Sequence, residues 1–600
     1  MNNTKGISTI RNSMKLFRLG IKFSKEFFWW KLIWVLVKAA RTVLVDVLLL
    51  KFVLDAISEG KTFSETIGFV LICVSFSFAE MYINDWVNTY VQPIAKNKIH
   101  KAVHQMIFKK ICTIDLEKFD DSHFYDNYIW TLEKASDQMM LCMENYMKLI
   151  ASIVSMLSIA AIICTASPVV IVFSVIPMIF VSFFGKKINR IEYECEQEIN
   201  SVSRRKNYSR RVFYLKEYVQ DIRSTGIKNV MMNNFIDSAD KEIAIQKKYS
   251  RAKMTATSIK DSGYGFAQGL GLYLYIIYKA IVEKSFSAGT CASVINAVDR
   301  LSGYFYQFTF SMLAVQKNGL YASDFFAFLN HESIIEAGKT EGIAVSEFES
   351  IKIKNLSFKY CNADTFALKN INMDIRKGEK VAIVGYNGAG KSTLIKLLLR
   401  FYDPQAGGIY YNGECVKAFQ VQSYRKRFST IFQNFQIYAT TLLENIVMNI
   451  SVSEEEKTKA LTCLAKAKLN MQYDSLDHNI TKEFDKQGLE FSGGQRQKIA
   501  IARAIYSDGD FVIMDEASSA LDPIAENEIN QLILNTMRDK TILIITHRLS
   551  TVKHVDKIYF MENGHIIEEG THAELLDLNG KYAEMYSIQA KQYNCGGVAR

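Results

Sequence analysis

Six stretches in the first 318 residues are apolar and long enough to approach a membrane span, at 28–56, 64–92, 142–165, 168–185, 262–282 and 288–318. A helix crosses the hydrocarbon core with about 20 apolar residues. None of the six is free of charge: Lys38, Arg41, Asp46, Glu80, Asp85, Asp299 and Arg300 interrupt them. Basic residues gather outside them, as Lys5, Arg11, Lys15, Arg18, Lys22 and Lys25 before the first stretch. After the fourth come Lys186, Lys187, Arg190, Arg204, Arg205, Lys206, Arg210 and Arg211. Basic flanks stay on the cytoplasmic side of a bilayer. The gaps 57–63, 166–167 and 283–287 are short, whereas 93–141 and 186–261 are long, charged and rich in helix formers. This alternation predicts a multi-pass bundle in the cell membrane, with both termini and both long gaps cytoplasmic and the helices continuing beyond the bilayer.

That topology accounts for the net charge of +10. A nucleic-acid partner would require a basic face with interleaved aromatics, and none is apparent. The ten cysteines stand singly, without a Cys-x-x-Cys pair, which argues against zinc and a disulfide framework. The first twenty residues are polar and basic, so the first span, rather than a cleaved signal peptide, is expected to direct insertion. The predicted organisation is a transmembrane domain at 1–330, a polar linker at 331–350, a soluble α/β domain at 351–590 and a tail at 591–600. Near the middle of the two long gaps, 114–125 and 213–225 mix aromatic with charged residues, which suits short helices docking on another domain.

The soluble half carries the chemistry. Residues 385–393 read GYNGAGKST, a G-x-x-x-x-G-K-[ST] loop expected by chance about 0.02 times in such a chain. VAIV at 381–384 before it reads as a buried strand, and STLIKLLLRF at 392–401 after it has helical periodicity. Gly385, Asn387, Gly388, Ala389 and Gly390 would let backbone N–H groups close around phosphates, assisted by the helix N-terminus. Lys391 would contact the β- and γ-phosphates of ATP; Ser392 would ligate magnesium, beside Thr393. A second strand, FVIMDE at 511–516, ends in two acids. Asp515 suits the magnesium shell, and Glu516 suits a base for the attacking water. FSGGQRQ at 491–497 opens a strongly helical segment that Ser492 can cap, with Gly493, Gly494 and Gln495 behind it.

With these motifs in order, the chain resembles an ABC transporter of the exporter type over residues 15 to 590. The fold this implies is an α-helical membrane bundle of six long transmembrane helices followed by an α/β P-loop NTPase domain. The resemblance makes Tyr360, in the expected strand FKY at 358–360, the aromatic that stacks on adenine and Gln433 the glutamine joining magnesium to the membrane domain. Asp522, in SALD at 519–522, becomes the acid of the loop touching the partner, and His547 the histidine at the γ-phosphate. It also implies two nucleotide-binding domains meeting head to tail, so a chain with one such domain would work as a half-transporter with a second copy or a sister chain. The segments 114–125 and 213–225 match where exporters carry coupling helices. Three features depart from the family pattern. Phe491 replaces a leucine, EFDKQGLE at 483–490 replaces a Gly-Glu-Arg-Gly run, and no cysteine peptidase precedes Cys73, so leader cleavage is not expected.

Export of an unidentified substrate by alternating access is the expected function. An exporter-shaped importer and a nucleotide-gated regulator that moves nothing are the alternatives. A substrate path is expected near Asp46, Asp299, Arg300, Tyr304 and Phe308. Asp299 lies ten residues in from Gly289, about 15 Å deep at about 1.5 Å per residue, near the midplane. Charges there normally face a bundle interior or a wet cavity. Two readings stay open: a cavity for a cationic group near Asp299 or Asp46, and an Asp46–Arg300 pair that only locks helices.

Overall fold

The computed structural model describes residues 2–265, 270–336, 343–361, 363–482, 484–515 and 531–594. They form two compact units. One holds the residues up to Phe108 together with Ile129–Asn330; the other holds Lys109–Tyr128 together with the residues from His331 on.

The first unit is helical. Lys25–Arg41 runs through a π-helical stretch, Thr42–Leu49, into Leu50–Glu59. Gly60, at φ 68°, ends that run in the left-handed conformation that glycine adopts without a Cβ penalty. Thr62 and Glu65 then form a capping box that starts Phe63–Trp86, which continues as Val87–Val91 and Gln92–Ile111. Ser122–Ala166, Val170–Tyr214, Ile227–Gly265, Tyr273–Ile277 with Tyr278–Val282, and Ala288–Leu329 follow. The described residues of the six expected spans are helical except Pro168 and Val169, which form the turn before Val170–Tyr214.

Ser122–Ala166 has 45 residues, about 68 Å at about 1.5 Å per residue, twice a hydrocarbon core of about 30 Å. The long gaps are thus helical over most of their length and continue the expected spans. Among the described residues, only Phe63–Ile111 and Thr131–Ala166 are apolar enough to count as spans on hydropathy alone. Charges such as Lys38, Arg41 and Asp46 dilute the rest. Their core is nonetheless shared: Val47, Ile159, Ile163, Leu272, Ile276, Val294 and Val298 are buried in one cluster. A Cβ on Gly289 would lie 2.5 Å from the Lys51 carbonyl oxygen, so this glycine lets the last helix close on the first. An additional helix, Asn2–Phe23, precedes the first expected span.

The second unit is an α/β domain. A four-stranded antiparallel sheet has the order β2-β1-β4-β5, with β1 Ser350–Phe358, β2 Leu368–Arg376, β4 Ala406–Tyr411 and β5 Glu414–Cys415. A six-stranded sheet has the order β10-β9-β3-β8-β7-β6. Its strands are β3 Lys380–Gly385, β6 Phe428–Ile431, β7 Phe511–Asp515, β8 Thr541–Thr546, β9 Lys557–Glu562 and β10 His565–Gly570. All neighbours in it are parallel except β9 and β10. Alternate residues face opposite cores. Val381, Ile383, Phe511 and Ile513 lie in the core shared with the antiparallel sheet. Ala382, Val384, Val512 and Met514 lie in the core covered by helices such as Gly493–Ser507. Burial on both faces explains why VAIV and FVIM read as unbroken apolar runs.

Residues 331–350 have a linker's composition, yet parts of them are fixed in the second unit. Phe348 is 1% exposed, and Arg425 Nη1 bonds Glu336 Oε1 at 2.7 Å.

Candidate nucleotide site

The parallel order β3-β8-β7-β6 sets four strand ends along one edge. Val384 pairs with Thr546 and Asp515 with Ile545, so the β3, β8 and β7 ends are level. Ligands of open α/β sheets bind outside the carboxyl ends of strands. The loop 386–390 leaves β3 there; Asp515 closes β7, 7% exposed; His547 follows β8; and Gln433 stands two residues beyond β6, exposed.

Within the loop, a Cβ at Gly385 would meet the Met561 carbonyl oxygen at 2.1 Å. Gly390 has φ 102° and caps the helix Lys391–Leu398. Both positions exclude a side chain. Lys391 is 5% exposed, and its Nζ donates to the carbonyls of Gly385 at 2.9 Å and Tyr386 at 3.1 Å. The ammonium is thus held inside the curl of the loop. Ser392 and Thr393 follow in the first turn. A hydroxyl from Ser392, a carboxylate from Asp515 and an amide oxygen from Gln433 form a hard-oxygen donor set that suits magnesium.

Tyr360 was expected in a strand; it lies two residues past the end of β1, because β1 stops at Phe358. Its hydroxyl lies 3.1 Å from Thr393 Oγ1. Its ring stands edge-on to Tyr402, with centroids 5.4 Å apart, and Lys396 covers both rings. Tyr402 Oη donates to Asp120 Oδ2 at 2.6 Å. Burial, and then the Asp120 carboxylate, push this phenol well above its usual range, which keeps it a donor.

The segment 114–125 is therefore part of this unit. Leu116–Phe119 is a short helix, Leu116 packs on the core, and Asp115 accepts the backbone N–H groups of Ile334, Ile335 and Glu336 at 2.7, 3.0 and 2.8 Å. Residues 213–225 include the helix Val219–Ser224 in the other unit.

Ser492 caps Gly493–Ser507 through a capping box: its Oγ accepts from Gln495 N at 3.4 Å, and its N–H donates to Gln495 Oε1 at 2.9 Å. A Cβ at Gly493 would meet nothing within 4 Å, so this helix start stays open to approach. Phe491 packs against the core, as an apolar anchor should. Glu516 and Asp522 lie outside the described residues.

Sequence reasoning missed Tyr402, Asp120 and Gln589. Gln589 Nε2 donates to the His547 carbonyl at 2.6 Å, and its Oε1 accepts from Leu549 N at 2.9 Å. This fixes the loop after β8. A glutamine on a C-terminal helix carries no local signal of such a role.

The helical unit holds the residues of the expected substrate path. Asp46 lies in the π-helical stretch, its side chain 8% exposed, and Arg41 Nη1 reaches Asp46 Oδ2 at 3.2 Å, five residues away as π spacing allows. Arg300 Nε reaches the same oxygen at 3.3 Å. Tyr304 Oη lies 2.9 Å from Thr42 Oγ1. These contacts tie the first helix to the last, the locking arrangement that the sequence left open. Asp299 is exposed, and Phe308 is half-buried beside Phe305.

A glycine-lined loop around a buried lysine, at the carboxyl edge of a parallel sheet and level with an aspartate and a histidine, defines a P-loop nucleotide-binding domain. Residues 368–519 match the family model of the ABC transporter. The chain is 34% identical over 342 residues to the ATP-dependent lipid A-core flippase of Pectobacterium atrosepticum, covering 56% of this chain and 58% of that protein. It is 29% identical over 487 residues to the subtilin transport ATP-binding protein SpaT of Bacillus subtilis, covering 80% and 78%. The match thus spans little more than half of the flippase. A solved bacterial Atm1-family ABC exporter with ATP bound superposes with a TM-score of 0.78 at 19% identity, covering 93% of this chain and 97% of that one. Residues 368–519 thus match the nucleotide-binding domain of ABC transporters, and the chain has the fold of the solved exporter, a helical domain followed by a nucleotide-binding domain.

Proposed function

We propose that this chain is a half-transporter that exports a substrate across the cytoplasmic membrane, driven by ATP hydrolysis in a dimer. The observation that carries the reading is the edge on which Lys391, Asp515, His547 and Gln433 converge in a domain that also holds the segment 109–128 of the membrane half. Tyr360 stacks on adenine, the loop 385–393 encloses the phosphates, and Lys391 turns its ammonium from the loop carbonyls to the β- and γ-phosphates. Ser392, Asp515 and Gln433 would hold magnesium, which would neutralise phosphate charge. Ser492, Gly493, Gly494 and Gln495 of a second chain close the site from the other side, Asp522 lies at that interface, Glu516 polarises the attacking water and His547 contacts the γ-phosphate. The six helical runs span the membrane with both termini cytoplasmic, and the closed and open dimers favour different conformers of the bundle.

The partner is a second copy. Glu516, His547 and the Ser492–Gln495 run are all present, so one chain has what two competent sites require. The purified chain alone is expected to sediment as a dimer and hydrolyse ATP. A monomeric, inactive preparation restored by a sister chain would refute the homodimer.

Because Asp46 is engaged by two arginines, Asp299 is the acid left to face a substrate. Asp299→Asn is expected to leave basal ATPase within about two-fold and to abolish its stimulation by a transported compound, since one mid-membrane charge in a cavity mainly affects what the cavity binds. Wild-type stimulation in that variant would remove Asp299 from the path.

A further inference from the structure

The helix Asn2–Phe23 sorts its side chains into three strips, because about 3.6 residues make a turn. Ser13, Leu16, Phe17 and Gly20 form the first strip and are buried. Ser13 Oγ lies 3.6 Å from Cys142 Sγ, and Phe17 stacks on Tyr146 at 4.5 Å. A Cβ on Gly20 would lie 2.5 Å from Met143 Sδ, and one on Gly319 would lie 2.1 Å from the Thr9 carbonyl oxygen. The helix is thus seated on Ser122–Ala166 and Ala288–Leu329 where the expected spans 142–165 and 288–318 end. On the opposite strip Arg11, Lys15, Arg18 and Lys22 are all exposed. Between the two, Ile10, Met14 and Ile21 form an apolar flank that is only half-buried.

The chain then turns sharply at Ser24, φ −142° and ψ 75°. Phe28 comes back to within 6.1 Å of Phe17, edge to face. Directly beyond the turn stands an exposed aromatic group. Trp29 is 59% and Tyr90 55% exposed; Trp30 lies 6.3 Å from Trp86, and Trp86 4.5 Å from Tyr90, between ring centroids. Tryptophan and tyrosine collect at headgroup level. An exposed cationic strip beside an apolar flank, next to such a belt, is how a helix lies in a bilayer interface. A face meant only for water would have no use for the apolar flank, and orientation alone would not require the cations on one strip.

We propose that the outer face of this helix binds anionic phospholipid headgroups. Arg11, Lys15, Arg18 and Lys22 pair with the phosphates, and Ile10, Met14 and Ile21 enter the acyl region beside them. The helix thereby couples the charge of the inner leaflet to the two long helices on which it is clamped.

The test uses the full-length protein in phosphatidylcholine vesicles. Its tryptophan fluorescence is quenched by brominated phosphatidylglycerol or by brominated phosphatidylcholine as the competing probes. At low salt, phosphatidylglycerol is expected to bind about three- to ten-fold more tightly, given the attraction of each basic residue to an anionic surface. The preference should fall to about one in 0.5 M salt, where the Debye length is only a few ångströms. It should fall equally in the variant Arg11→Gln/Lys15→Gln/Arg18→Gln/Lys22→Gln, whose exposed positions leave the melting temperature unchanged. Equal quenching by the two lipids in the wild type, or a preference that survives in the variant, would overturn the proposal. So would a variant that loses self-association but keeps its lipid preference, which would assign the face to a second copy.

Discussion

Glu516→Gln is expected to lower multiple-turnover ATP hydrolysis by about 10²–10⁴-fold, the usual contribution of a positioned general base, while leaving ATP binding intact. The amide keeps the size and hydrogen-bonding reach of the side chain but cannot accept a proton from water. Asp515, one residue earlier, is buried at the end of β7, on the edge where the P-loop leaves β3. With binding preserved and turnover stopped, ATP should accumulate in closed dimers, visible as labelled ATP that stays bound to the protein through gel filtration in the presence of magnesium. A variant that turns over at the wild-type rate would remove Glu516 from the chemistry.

Lys391→Ala and Ser492→Ala are expected to fail differently. Lys391 carries the loop's own buried cation, and a hydrogen bond to a charged group contributes about 1.5–3 kcal/mol. Its loss should therefore weaken ATP binding by about 10- to 150-fold. In the proposed dimer Ser492 acts on the other chain's nucleotide, so Ser492→Ala should leave the affinity of a single chain nearly unchanged and impair dimer closure and turnover. The alanine also deletes a helix cap, at a cost of about 0.5–2 kcal/mol. Ser492→Asp separates the two effects: it keeps an acceptor for the Gln495 N–H but places a negative charge against phosphate, and turnover should still be lost. Titration of a fluorescent ATP analogue onto each full-length variant checks the contrast. An equal loss of affinity at 391 and 492 would contradict this division of roles.

The parts of the site that sequence made legible are those encoded by neighbouring residues. The loop 385–393, the strand before it and the helix after it signal each other, as do Ser492 and Gln495, whose spacing is that of a capping box. The helices that bear the six apolar stretches were legible for the same reason. The N-terminal helix was not. Its buried strip is only Ser13, Leu16, Phe17 and Gly20, too small and too polar to stand out among basic residues. Phe348 was lost in the same way inside a polar stretch. Tyr402 and Asp120 were illegible for another reason: they meet across 282 positions, and neither neighbourhood refers to the other. The end of β1 at Phe358 is a smaller miss, where two aromatics and a lysine look like strand but Tyr360 has turned toward Thr393.

The segment Lys109–Tyr128 belongs to a unit whose remaining residues start at His331, so that unit is assembled from two separate stretches of chain. Synthesis separates them in time. At about 5–20 residues per second, Asp120 is made roughly 15–55 s before the tyrosine that holds it. Through that interval the nascent protein must carry Asp115 and Leu116 without the backbone N–H groups and the apolar surface that later enclose them. A chain begun at residue 331 would lack these contacts, and its Ile334, Ile335 and Glu336 N–H groups would have to find other partners.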